Sequence, residues 1–223
     1  MESQLTIRPA DSPFVQAVTR WVIGTADRDR AVPDGTWDIV VLKQDGRTNV
    51  LLAGQTTHAV PLQFNPGDEI LTISFKASAF LTFIPAGELL DRGILLTKTR
   101  GGFQLAVDVF EIPTFDNAED FVRSLVKKDH ICQDEVVEAL LADQSPAYSL
   151  RSLQRRFLWA TGMTHNAYHQ IQRARQAAVL LQSGNPASAA AFTAGYADQP
   201  HMSRSLKQIL GHTPTEIAAL KIL

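Results

Sequence analysis

A chain of 223 residues, 45% hydrophobic, can bury one moderate core or two smaller ones, and its one cysteine, Cys132, excludes an internal disulfide and a Cys-built zinc centre. The net charge of −2 hides a division, because residues 144–223 sum to +6 and the preceding residues to −8, so an acidic part precedes a polyanion-facing one. No apolar run reaches membrane-spanning length and the start lacks a signal-peptide pattern, so a cytoplasmic protein without a membrane partner is expected.

From about residue 36 to 112 the chain reads as strands. Trp37 to Leu42 and Asn49 to Ala53 are β-branched-rich runs joined through Asp45-Gly46, a strong hairpin signal. Pro66-Gly67-Asp68 marks a turn ahead of Ile70 to Phe75, and Gly101-Gly102 precedes Phe103 to Phe110, whose odd positions suit one sheet face. Short strands between turn signals indicate a sandwich or small barrel. After Pro113 the period changes. Asp116 or Asn117 can cap a helix carrying Phe121, Leu125 and Val126, and Val136, Val137, Leu140 and Leu141 mark a second helix fading at Asp143-Gln144-Ser145-Pro146. The expected fold is α+β: a β-rich barrel or sandwich over 1–112, a helical linker over 113–143, and an all-α domain over 144–223.

The last segment carries the chemistry. Ser149 is an N-cap, Leu150, Leu153, Phe157 and Ala160 share a face, and Gly162 ends the helix. Its other face presents Arg151, Gln154 and Arg155. Guanidinium forks suit guanine and Gln suits adenine, so this face is equipped to read base edges or hold phosphates, the plain alternative being a solvated basic face. Thr164 to Leu181 is a helix with Tyr168, Ile171, Ala174, Ala178 and Leu181 at core spacing, about 27 Å long, suited to bridging modules aimed at major-groove turns about 34 Å apart. Asn185-Pro186 starts a short helix that Gly195 ends. Asp198 caps the next, with Met202, Leu206, Ile209 and Leu210 inward, Gln199, His201 and Arg204 outward, and Ser203 and Lys207 placed for backbone phosphates. Thr213-Pro214-Thr215-Glu216 is a capping box.

The stretch Ser149 to Glu216 resembles the DNA-binding domain of AraC-family bacterial transcription regulators, through Leu153 to Arg155, Phe157, Gly162, Tyr168, Arg173, Ala177, Leu180-Leu181, Gly195-Tyr196, Asp198-Gln199, His201, Ser203-Arg204, Gly211 and Thr213-Pro214. The resemblance implies two helix-turn-helix units joined by a long helix. It implies DNA contacts from Arg151, Gln154 and Arg155 in the first unit and from Gln199, Pro200, His201 and Arg204 in the second. Double-stranded DNA is the implied partner, with RNA polymerase, a small-molecule effector and a second copy of the chain as further partners. Where the family has a short Gly-containing turn in the first unit, this chain has Asp143 to Tyr148.

Residues 1–112 resemble the β-rich sensory or dimerisation domain often placed before such DNA-binding domains. Trp37 with Asp34 and Asp38 is the candidate effector pocket, against the alternative of a capped turn beside a core Trp. His58 is the sole histidine before residue 130, so a cupin-type metal centre is not expected. His165, His169 and His201 lack an acidic or Cys partner for a metal, and neither a cofactor nor catalysis is expected. Two rival classes remain open: a small-molecule-binding or enzymatic β-barrel with a vestigial helical tail, and an adaptor docking through the acidic helices of 116–143.

Overall fold

The chain runs from strands to helices in a computed structural model that describes residues 2–25, 27–144 and 146–219, with only the backbone of 27–29. The elements are β1 (Gln4–Arg8), β2 (Val15–Val22), β3 (Asp27–Ala31), β4 (Trp37–Gln44), β5 (Arg47–Ala53), β6 (Val60–Phe64), β7 (Glu69–Phe75), β8 (Ala79–Leu81), α1 (Ala86–Leu89), β9 (Gly93–Leu95), β10 (Lys98–Thr99), β11 (Gly102–Leu105), β12 (Asp108–Phe110), α2 (Ala118–Lys127) and β13 (Ile131–Gln133). There follow α3 (Glu135–Leu141), α4 (Leu150–Thr161), α5 (His165–Gln182), α6 (Ala187–Thr193), α7 (Gln199–Ile209) and α8 (Pro214–Ala219).

Asp45 and Gly46 take φ of 49° and 70°, the left-handed pair of a type I′ turn, and fix the β4–β5 register from Gln44 opposite Arg47 to Asp38 opposite Ala53. The main sheet is antiparallel in the order β1-β2-β7-β4-β5-β9. Alternation gives it two buried faces. Trp37, Ile39 and Val41 of β4, with Ile73 and Phe75 of β7, enter the larger core, closed by β10–β12 and α2. Val40, Leu42 and Ile70 point the other way, against Trp21, Leu62 and Phe64, where β3 pairs with β6.

Several expectations need correction. Strands begin at Gln4 rather than near residue 36: β1 has exposed Leu5 and Ile7 and so lacks the alternation that announces a half-buried strand. The Phe103–Phe110 run is a hairpin, not one strand; Ala106 adopts φ 53° and Val107 at the turn is 88% exposed, while Phe103, Leu105 and Phe110 are buried. On α2, Val122 faces the core and Val126 faces solvent. Asn117 starts this helix, yet its side chain accepts from Thr114 N at 2.7 Å instead of capping it. The 113–143 segment is no separate linker. Phe121, Val122, Leu125 and Ile131 belong to the β-rich core, with β13 paired to β8, whereas Val137 of α3 belongs to the helical core, so the seam falls near Gln133 and Asp134.

The helical body is assembled on α5, whose Ile171, Ala174, Ala178 and Leu181 are buried at 3-4-3 spacing against α6, α7 and α8. Among the described residues it meets the β-rich body in several places. Gln172 Nε2 donates to Asp34 O at 2.9 Å and Arg175 to Pro33 O at 3.4 Å, so the loop before β4 grips α5. Phe80 meets Trp159 of α4 edge to face at 4.5 Å, and a Cβ on Gly162 would fall 2.7 Å from Ala86 O. At the far end Ala59 N donates to Ile209 O at 2.8 Å, satisfying a carbonyl of the last turn of α7.

At Gly35 the seam leaves no room for a side chain. Its φ is 84°, and a Cβ there would lie 2.4 Å from Tyr168 Cε2. Gly35→Ala should therefore destabilise the fold by about 1–3 kcal/mol, through backbone strain and displacement of Tyr168, measured as a lower urea midpoint.

Candidate nucleic-acid interface

Each of the candidate helices α4 and α7 is fixed by a cap and a buried stripe. Ser149 Oγ accepts from Ser152 N at 3.2 Å to start α4, and Gly162 at φ 75° ends it. Its inward residues are Phe157 and Ala160, with Leu153 half-buried, but Leu150, expected on that face, is 71% exposed because it sits at the first helical position beyond the reach of the core. In the turn between α3 and α4, Asp143 supplies the left-handed residue at φ 55° where the related domains use glycine. Helices α3 and α4 on either side of this connection pack against each other.

Arg151, Gln154 and Arg155 are exposed along one side of α4, and none has a side-chain partner among the described residues. Arg156, one position on, is different. It donates to the buried Asp134 at 3.1 and 3.0 Å and lies over Tyr148, while Asp134 accepts from Val136 N and Val137 N to cap α3. Its charge holds the two helices of the first unit together.

In the second unit Asp198 Oδ1 accepts from His201 N at 2.6 Å, Pro200 occupies the first turn, and Met202, Leu206, Ile209 and Leu210 are buried as expected. Asn185, expected to cap α6, donates instead to Leu180 O at 2.9 Å, and Pro186 precedes the helix without a side-chain cap. Gln199 and Arg204 are exposed and have no side-chain partners among the described residues. His201 is half-buried, edge-on to Tyr196 at 5.3 Å. Ser203 Oγ donates to Gln199 O, which leaves its lone pairs outward, and Lys207 lies 3.7 Å from Glu216, whose carboxylate also accepts from Thr213 N in the capping box. That carboxylate is held below the usual range by its bonds to Thr213.

Beside α7 runs a cleft of about 700 Å³, lined by Arg173 of α5, by His201 and Arg204, and by Thr57 and His58 of the β5–β6 loop. Arg173 and His58 are not among the contacts expected from sequence. The basic, Gln-flanked position of Arg173 on the bridging helix was a usable signal, whereas the approach of His58 depends on tertiary docking alone. His165 and His169 meet at 2.9 Å between Nε2 atoms, and burial followed by the neighbouring His169 lowers the pKa of His165. His201 stands elsewhere, on Tyr196, and among the described residues no group of three metal-ligating side chains occurs. No helix among them is long and apolar enough to cross a membrane.

Trp37, Asp34 and Asp38 do not line one pocket. The Trp37 ring stacks on Phe75 at 3.9 Å and donates to Ala79 O in the core, while Asp34 Oδ1 accepts from Thr36 N and Oγ1 in a tight turn. The alternation of β4 explains the split, since Trp37 and Asp38 face opposite sides. Burial, reinforced by Asp34, pushes Asp38 from the ordinary 3.8 up to about 7.

The arrangement defines a class: a double helix-turn-helix module carried on one rigid helix. Residues 145–219 match the helix-turn-helix domain family, and this segment is the AraC-type domain that its residues resemble. The regulatory protein ada of Salmonella typhimurium is 35% identical over 102 residues, covering 44% of this chain and 29% of that protein, so the chain spans under a third of that relative. Among solved structures, ToxT from Vibrio cholerae is similar over 98% of each chain at 10% identity and a TM-score of 0.45. ToxT bound to (E)-4-(8-methylnaphthalen-1-yl)but-3-enoic acid is similar over 98% of this chain and 99% of that one, at 10% identity and a TM-score of 0.44.

A carboxyl raised in the folded state adds stability that is complete below its unfolded pKa and is lost as pH rises through the folded one. Asp38 should therefore make the protein progressively less stable between about pH 4 and about pH 7. Asp38→Asn removes this dependence: in urea titrations across that range, the variant's stability relative to the parent should climb with pH and level off above about 7.

Proposed function

We propose that the chain is a transcription regulator that reads double-stranded DNA in a sequence-specific way, with α4 and α7 entering adjacent major-groove segments. One observation carries this reading. Arg156, Arg173, Arg175 and Lys207 have partners within the fold, whereas Arg151, Arg155 and Arg204, with Gln154 and Gln199, project to solvent without any among the described residues. Exposed guanidiniums and amides match base edges and phosphates, and their affinity falls steeply with salt. In the same reading the β-rich body receives a signal, from a small molecule or a second copy of the chain, and passes it through the seam to the strut, with RNA polymerase as the downstream partner.

The test begins by selecting duplexes from a random pool with the full chain. Arg204→Ala should then cost about 1–3 kcal/mol on the selected site and relax preference at one base pair, read by fluorescence anisotropy. Equal losses on selected and scrambled duplexes would reduce Arg204 to a phosphate contact, and no DNA affinity at low salt would remove the reading altogether.

A further inference from the structure

The cleft beside α7 has walls from both bodies of the protein. One side is α5 with Gln170 and Arg173, another is α7 with His201 and Arg204, and the third is the β5–β6 loop with Thr57 and His58. No residue lining it is acidic. Arg173 stacks its guanidinium 4.5 Å over Tyr196 and donates weakly to Gly195 O at 3.4 Å, yet its Nε is buried without a hydrogen-bond partner among the described residues. The loop is held in place rather than draped there. Asp91 accepts from Thr57 N at 2.7 Å and from Thr57 Oγ1 at 2.8 Å, Asp91 N donates to Gln55 O at 2.8 Å, and Ala59 N is bonded to the end of α7. Asp91 also lies 3.4 Å from His58 Nδ1, which leaves Nε2 of that ring without a partner among the described residues.

We propose that this cleft seats a DNA backbone phosphate next to the second reading helix, clasped by Arg173 from the strut and His58 from the β-rich body. The inference rests on the DNA-reading function and extends it: the N-terminal body is part of the DNA-contacting surface. The occupant is a phosphodiester rather than a free small anion because the cleft is continuous with Arg204 and His201, so a duplex seated on α7 brings its own backbone into it. A site lined by donors from a guanidinium and an imidazole, with the neighbouring Asp91 carboxylate engaged by Thr57 and lying at His58 Nδ1, suits an anion and tolerates any base sequence.

The experiment measures binding of the full chain to a selected and a scrambled duplex over a salt series at pH 7.5. Arg173→Gln should weaken both duplexes alike and lower the slope of log affinity against log salt by about 0.9, with Arg173→Lys restoring the slope. His58 is exposed, so its replacement spares the core: His58→Glu should weaken both duplexes several-fold, and His58→Lys should tighten both and steepen the slope. If His58→Glu and His58→Lys bind as the parent does, or both weaken equally, no phosphate passes the loop and the proposal is overturned. A loss confined to the selected duplex would also overturn it, by making these residues base readers. Failure of the parent chain to bind either duplex would instead strike the DNA-reading function itself.

Discussion

The structure depends on the seam that holds the helical module against the β-rich body. Two helix-turn-helix units on one strut can read a duplex only if their mutual orientation is kept, and each part of the module is gripped separately: α4 by Phe80 and α1, α5 by the loop at residues 33–36, and α7 by Ala59. Backbone groups supply much of this grip, and glycines at 35 and 162 let the surfaces close to contact distance. A packed seam of this kind shifts between discrete arrangements more readily than it bends.

Inside the helical module the same economy of space recurs. Ala174, Ala177 and Ala178 on α5 have no side-chain entropy to lose and let α6, α7 and α8 approach the strut closely, so the second unit is rigid although its helices are short. Larger residues sit where two helices meet from different directions, as with Phe157, which packs edge to face on both His165 and Tyr168. The cations divide accordingly. Arg156 is spent on joining α3 to α4, and the arginines free of such duty lie on the outer faces.

What the sequence disclosed follows the range of the forces involved. Caps, turns and helical stripes are local, so Ser149, Asp198, the Thr213–Glu216 box, the Asp45-Gly46 hairpin and the stripe from Met202 to Leu210 were legible from residue order. β1 and β3 were not, because their pairing to β2 and β6 is set by distant partners rather than by alternation of their own. The exposure of Leu150 and Val126 and the split of Trp37 from Asp38 likewise depend on which neighbour a face finds. That His58 and Arg204 line one cleft was unreadable, since it depends on tertiary docking such as the bond from Ala59 to Ile209.

The seam also creates an electrostatic difficulty that the local chemistry answers. Residues 1–133, up to the seam, carry a net charge of −4, and docking that body beside the helical module brings acidic groups toward a polyanion. Repulsion between a duplex and exposed carboxylates decays over roughly 8–10 Å at ordinary salt, so only the acids nearest the reading face matter. Beside the cleft, Asp91 is held in bonds with Thr57 while Thr57 and His58 line the cleft. On the strut side, Asp34 is occupied with Thr36 and Asp38 favours its neutral form up to about pH 7. Asp91 and Asp34 are thus engaged in bonds and Asp38 favours its neutral form, and the unpaired arginines of α4 and α7 set the sign of the outer faces of those helices.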